Sequence, residues 1–182
     1  VKVYDNVLDK DYFKLVQQYY LSQDVPWHFN QNTSYGNANE QSSENDIFQF
    51  TCPVIRDGVS KSSDPKHLEV LHAVINKVFS NAKSTVEVLR AKFNLLSKQP
   101  YNEASLSDMI HVDTTDTDKL SVLFYMNNSD GDTVFFDGDK EHRYMPKENT
   151  AVVFKSNIKH RATPPTQAQK RVVLNIIVKD QH

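Results

Sequence analysis

The sequence predicts a mainly β fold, a sandwich or barrel of short strands that follows two amphipathic helices. Three observations predict it. Early in the chain, apolar residues recur at helical spacing behind recognisable caps. From Ser84 onward they fall in short runs parted by turn residues. The last of these runs is apolar on one face and mixed on the other, the mark of a strand covered on both sides. At 182 residues the chain matches one domain, and a single domain over 1–182 is expected.

The first helix is expected to start at Asp9. Leu8 precedes this cap and Phe13 follows four positions on, the arrangement of a hydrophobic staple. Phe13, Val16, Tyr19 and Tyr20 then form its buried stripe. The second helix starts with Asp64 as cap and Pro65 in the first helical position, and Leu68, Leu71, Ile75 and Val78 recur at its spacing. Between the two lies a polar stretch, 30–46, rich in Asn, Ser and Gln. Such a length is expected to be either a lid over a substrate cleft or a plain surface loop.

Strands are predicted at 85–97, 109–113, 119–127, 133–137, 151–155 and 171–179, with turns at 128–131 and 137–139. In the last strand Arg171, Val173, Asn175 and Ile177 share one face, while Val172, Leu174, Ile176 and Val178 share the other. In 120–127, Leu120, Val122, Phe124 and Met126 oppose Ser121, Leu123, Tyr125 and Asn127. The wholly apolar faces are assigned to packing under the helices. The mixed faces are assigned to the interior of the sandwich, where a ligand fits.

The bulk properties exclude several classes. A net charge of −2 gives no basic field for nucleic acid. The lone cysteine, Cys52, cannot form an intrachain disulfide and fits a reducing compartment. The longest apolar run near the C-terminus, 172–178, is broken by Asn175 and is too short for a bilayer. The N-terminus lacks the apolar segment of a secretory signal, so a cytoplasmic setting without membrane contact is expected. Nothing in the sequence sets an oligomeric state.

The chemistry centres on His111-Val112-Asp113. Residues i and i+2 of an extended segment project from one face, so imidazole and carboxylate converge. Two histidines and one carboxylate on one face of a metal leave three coordination positions open, the facial triad of non-haem iron(II) sites. His160, beyond the apolar run 151–154, supplies the second histidine, and Arg171 opens the last strand on its mixed face. An inward guanidinium there needs an anionic partner.

Together, His111-x-Asp113, His160 and Arg171 resemble the signature of the Fe(II)/2-oxoglutarate-dependent oxygenase superfamily. The intervening text resembles its prolyl 4-hydroxylase-like branch. Leu123-Phe124-Tyr125-Met126-Asn127 is similar to that branch's strand ending in Tyr-Leu-Asn, and Gly131-Asp132-Thr133-Val134-Phe135 to its Gly-Gly-x-Thr-x-Phe. Residues 146–154 are similar to the proline-led strand before the distal histidine. The resemblance covers about residues 90–179.

It implies a double-stranded β-helix (a cupin-like jelly roll) with the N-terminal helices packed on the larger sheet. It implies Fe(II) on His111, Asp113 and His160, and 2-oxoglutarate and O₂ as co-substrates, with ascorbate as a candidate reductant. Arg171 and Tyr125 would hold the far carboxylate of 2-oxoglutarate, Leu123 and Thr133 would line its pocket, and Tyr101 is a candidate second tyrosine there. The implied reaction couples decarboxylation of 2-oxoglutarate to hydroxylation of an unactivated C–H. The implied partner is a peptide or protein substrate, with a prolyl residue as the first candidate, or a free amino acid or other small molecule. A non-catalytic metal-binding cupin-like module is the rival from another class. Arg171 discriminates against it, because such a module needs no buried arginine. Arg90, Lys92 and Asn94 share a strand face and contact either substrate or solvent. His67, His72 and His142 are read as solvated or structural, with His142 in a turn.

Overall fold

The computed structural model describes residues 1–31, 47–82 and 86–179. In chain order its elements begin with β1 (Lys2–Tyr4), α1 (Lys10–Leu21), β2 (His28–Asn30), β3 (Gln49–Arg56), β4 (Val59–Ser60) and α2 (Pro65–Val78). They continue with β5 (Glu87–Ser97), α3 (Glu103–Asp108), β6 (Lys119–Tyr125) and β7 (Thr133–Asp137). The last are β8 (Lys140–Tyr144), β9 (Thr150–Lys155), β10 (His160–Ala162) and β11 (Lys170–Lys179). The expected lid at 30–46 lies outside the described residues, except for Asn30 and Gln31.

Both helices start as their caps dictate. Asp9 accepts from the backbone N–H groups of Asp11 and Tyr12, and Asp64 from that of Lys66. Of the expected α1 stripe, Phe13, Val16 and Tyr20 are buried. Tyr19 stands half out, its hydroxyl donating to Asp64 at 2.9 Å and so tying the two helices together. α2 buries His67 and Val70 as well as the expected leucine and isoleucine, and Leu68 is only half-buried. His67 is structural, with Nδ1 2.7 Å from the Ser62 hydroxyl.

Two antiparallel sheets face each other. The larger runs β1-β9-β6-β11-β5-β3-β2, with β4 attached to β3, and the smaller runs β10-β7-β8. This is the double-stranded β-helix expected, with the helices on the larger sheet. Val172, Leu174, Ile176 and Val178 of β11 and Val122 and Phe124 of β6 join the α1 and α2 residues in one core. Phe13 meets Phe124 edge-on at 6.1 Å, and Tyr20 stacks on Phe93 of β5 at 3.8 Å. On the opposite face, Leu123, Tyr125, Val152, Phe154 and Val173 pack against Phe135 of the smaller sheet. Each buried side chain of this size contributes about 1.5–3 kcal/mol, so both faces of the larger sheet are energetically committed.

Two expectations are corrected. Residues 109–113 are not a strand: α3 occupies 103–108, capped by Asn102 and Ser105, and Met109 continues its turn. Only a single bridge joins His111 to His160. Apolar Met109 and Ile110 suggest a strand, but Met109 packs with Ile47, Leu96 and Leu106 under the short helix. His142 lies not in a turn but in β8, which pairs with β7 through a two-residue loop at Gly138-Asp139, where Gly138 takes φ +58°. β8 is an exposed edge strand of charged residues, so it shows no apolar alternation.

The turn after β6 is anchored by Asp130. Its carboxylate accepts from the backbone N–H groups of Thr166, Gln167 and Ala168 and from the Thr166 hydroxyl, all within 2.9 Å. Burial opposes its charge, yet these hydrogen bonds win and hold its pKa well below the usual carboxylate range. Asp130→Ala is therefore expected to lower stability by about 1 kcal/mol at pH 7, the typical worth of a carboxylate capping backbone N–H groups. Because the folded-state pKa is depressed, that stability is fully present above the unfolded value of about 3.9 and is lost gradually as pH falls from there through the lower folded value. Urea melts of both proteins should differ clearly at pH 7 and less at pH 2, where the folded-state carboxylate also begins to take up its proton. An equal difference at both would show that Asp130 acts through something other than its charge.

Candidate metal and co-substrate site

Between the sheets lies a cleft of about 520 Å³, within the range of small-molecule sites. His111, Asp113, Leu123, Thr133, His160 and Arg171 all line it. Although 109–113 is not a strand, its backbone is held as if it were. His111 and His160 exchange backbone hydrogen bonds at 3.0 and 2.9 Å, and the Asp113 N–H donates to Ser156 at 2.9 Å. The alternation expected of an extended segment thus survives at these residues.

One ligand atom from each of His111, Asp113 and His160 lies within 4.8 Å of the others. The chemistry of this set fits a divalent metal. Each histidine Nδ1 lies against a backbone carbonyl, Met109 for His111 at 2.8 Å and Ile158 for His160 at 2.9 Å. A carbonyl only accepts, so Nδ1 carries the proton and each Nε2 keeps its lone pair for a metal. Burial pulls the His160 pKa down against the pull of Asp113, which favours the neutral, ligating imidazole. Burial pushes the Asp113 carboxyl up, but His160, the Ser121 hydroxyl, Arg90 and His111 outweigh it and keep the group ionised. Phe135 and Phe154 wall His160 on its far side.

Arg171 sits in the other end of the cleft and is 4% exposed. Its Nε donates to the Gly131 carbonyl at 2.9 Å and its Nη2 to the Thr133 hydroxyl at 2.7 Å. Both acceptors are neutral, and among the described residues no carboxylate forms an ion pair with it. A buried cation so placed is poised for an anionic ligand. Gly131 is required for this approach, since a Cβ there would lie 2.5 Å from the Thr163 carbonyl and 3.2 Å from Arg171 Cδ. Asn127, one of the motif residues, bonds through its amide to the backbone of Lys170 and Val172 and so extends the pairing beside Arg171.

The remaining expected residues divide. Leu123 and Thr133 line the cleft. Tyr125 is fully buried behind Thr133, with its hydroxyl 2.8 Å from that of Thr133 and its ring 5.6 Å from the Arg171 guanidinium. Burial pushes its phenol up, so it stays protonated. Tyr101 is 36% exposed and does not line the cleft. Arg90, Lys92 and Asn94 turn out to face the cleft. The alternation of β5 showed that they share a face; which side that face took depended on the pairing of β5 between β3 and β11, which the sequence does not display.

Comparison with known proteins agrees with this geometry. Residues 101–179 match the family model of the 2OG-Fe(II) oxygenase superfamily. No curated protein matches the chain by sequence. Among solved structures, an oxidoreductase of the 2OG-Fe(II) oxygenase family from Burkholderia pseudomallei is 13% identical, with a TM-score of 0.66 over 97% of this chain and 83% of its own. A prolyl hydroxylase from Trichoplax adhaerens, solved with a hypoxia-inducible-factor peptide fragment, is 14% identical, with a TM-score of 0.66 over 98% of this chain and 83% of its own. HygX from Streptomyces hygroscopicus, solved with nickel, 2-oxoglutarate and hygromycin B, is 8% identical, with a TM-score of 0.60 over 98% and 82%. At such identities the likeness establishes a shared fold. The family match covers the segment that carries the triad and Arg171, so residues 101–179 are similar in sequence to the 2OG-Fe(II) oxygenase superfamily.

Proposed function

We propose that residues 1–182 form a single oxygenase domain that hydroxylates an unactivated C–H. In this reading His111 Nε2, one oxygen of Asp113 and His160 Nε2 hold Fe(II), and Arg171 holds the far carboxylate of 2-oxoglutarate. When bound, iron with 2-oxoglutarate and O₂ supplies the oxidising power, releasing succinate and CO₂ as the substrate gains a hydroxyl.

The observation that carries this reading is the pairing of a buried, neutral-partnered guanidinium with a triad at a fixed offset. Arg171 rests on Thr133, and His160 pairs with Phe135, two residues further along β7. Two residues of strand span about 7 Å, a separation suited to a five-carbon dicarboxylate reaching from metal to guanidinium. The carboxylate would add charge-assisted bonds to those Arg171 makes to Gly131 and Thr133. The protein needs no acid–base group in this scheme. Its side chains orient the ligands, turn each imidazole Nε2 toward the metal position and exclude water. A cupin-like module that only bound metal would have no use for Arg171.

A peptidyl proline is the first substrate class to test, and a free amino acid or other small polar molecule is the second. The β5 wall of Arg90, Lys92 and Asn94 suits a polar substrate of either kind. Incubation with proline-containing peptides and with free amino acids, followed by mass spectrometry for a gain of one oxygen, separates them.

Two outcomes test the core of the proposal. Wild-type protein should bind one Fe(II) or Mn(II) per chain, and His160→Ala should lose that binding; calorimetry showing equal affinity in both would remove His160 from the ligand set. Arg171→Ala should raise the 2-oxoglutarate requirement of succinate formation about tenfold to a hundredfold, since a charge-assisted contact is worth about 1.5–3 kcal/mol. Unaltered dependence on 2-oxoglutarate would mean that another group holds its carboxylate.

A further inference from the structure

The carboxylate of the triad has its two oxygens assigned to different neighbours. Arg90, on the cleft face of β5, donates from Nη2 to Asp113 Oδ1 at 2.8 Å. Oδ2 instead lies 3.7 Å from His160 Nε2 and accepts from the Ser121 hydroxyl at 2.6 Å. Oδ2 therefore faces the point where the ligand atoms converge, and Oδ1 is turned to β5. The Asp113 side chain is 1% exposed and that of Arg90 28%, so the contact is shielded on the carboxylate's side.

We propose that Arg90 is a positioning residue that restricts Asp113 to ligation through one oxygen. The inference rests on reading His111, Asp113 and His160 as metal ligands. A free carboxylate beside a divalent ion can give it both oxygens, and the second would occupy one of the three positions a facial triad leaves open. All three are needed if 2-oxoglutarate chelates through two atoms and O₂ takes the last. A guanidinium on Oδ1 removes that option, because the oxygen cannot turn to the metal without giving up a charge-assisted hydrogen bond.

The placement of Arg90 supports a specific role. It lies directly opposite Arg56 on β3 and two residues from Lys92 on the same strand face, and like charges opposite each other destabilise a sheet. On the described residues its one ion pair is with Asp113. Arg90 therefore stands where sheet packing alone would not favour a cation. The bland alternative is that it only neutralises a buried carboxylate in the metal-free chain. The two differ in what they say about the bound metal.

Mn(II) is the probe, and the readout is water-proton relaxation per bound ion, which scales with the number of exchangeable waters on the metal. In an octahedral site the wild type should show about three such waters, and Arg90→Met about two, a fall of about a third. Arg90→Lys keeps a cationic donor near Oδ1 and should stay close to the wild type. Should the Met variant not fold, Arg90→Gln serves, since its amide is polar but too short to reach Oδ1. Wild-type relaxation per bound ion in the Met or Gln variant would overturn the proposal and leave Arg90 a neutralising group. If instead His160→Ala binds Mn(II) as well as the wild type, the triad reading itself fails, and the proposal with it.

Discussion

Everything about the site depends on the alternation of β11. It pairs with β5 on one side and β6 on the other, and each of its faces meets a different core. Val172, Leu174, Ile176 and Val178 go under the helices, which leaves Arg171, Val173 and Asn175 for the cleft. A slip of one residue would carry Arg171 into the apolar layer beneath α1 and bring Val172 to the cleft. The cost of burying a guanidinium in that apolar core makes the register unambiguous. The same strand that stabilises the fold thus fixes the position of the cleft's buried guanidinium.

Asp113 and Arg171 carry buried charges in the cleft, and they are treated differently. Asp113 is compensated within the chain by Arg90 and by the Ser121 hydroxyl. Arg171 donates to a carbonyl and a hydroxyl and, among the described residues, has no ion pair, and burial pulls its pKa down from the usual arginine value. An unpaired charge in such surroundings costs several kcal/mol. The chain carries that cost through the core on both sides of the sheet, and a bound dicarboxylate would recover it. The close passage of Gly131 over Arg171, held by Asp130 on the 166–168 backbone, keeps the guanidinium from escaping to solvent.

Much of this was legible because it is local or periodic. Asp9 and Asp64 announce their helices through capping chemistry that involves only neighbours, and the two-faced pattern of β6 and β11 follows from side-chain alternation alone. His111 and Asp113 share a face by such alternation, and His160 and Arg171 were picked out with them by resemblance to a known signature. What escaped depends on partners far away. The short α3 is capped by Asn102 and Ser105 but carries too few apolar positions to show a helical period. β8 has no buried face to mark it, and β1 and β2 hold only three residues each. The link between Arg90 and Asp113 spans two segments whose proximity only the sheet order reveals. Tyr101 fell outside the cleft because α3 intervenes between it and His111.

The electrostatic design of the cleft also explains why both histidines lean on carbonyls and not on carboxylates. A carboxylate behind each imidazole would raise ligand basicity but add negative charge beside the metal. A metal held by His111, Asp113 and His160 would meet a single negative charge, from Asp113, which Arg90 offsets. A divalent ion bound to such a set keeps an excess of positive charge, which Arg171 reinforces from the far end of the cleft. A dianion entering between them meets attraction at both of its termini, in surroundings where water screens little. Carbonyl-backed imidazoles, a tethered carboxylate and a guanidinium without an ion pair among the described residues are therefore parts of one arrangement. Each leaves uncompensated the positive charge that a doubly negative co-substrate would neutralise.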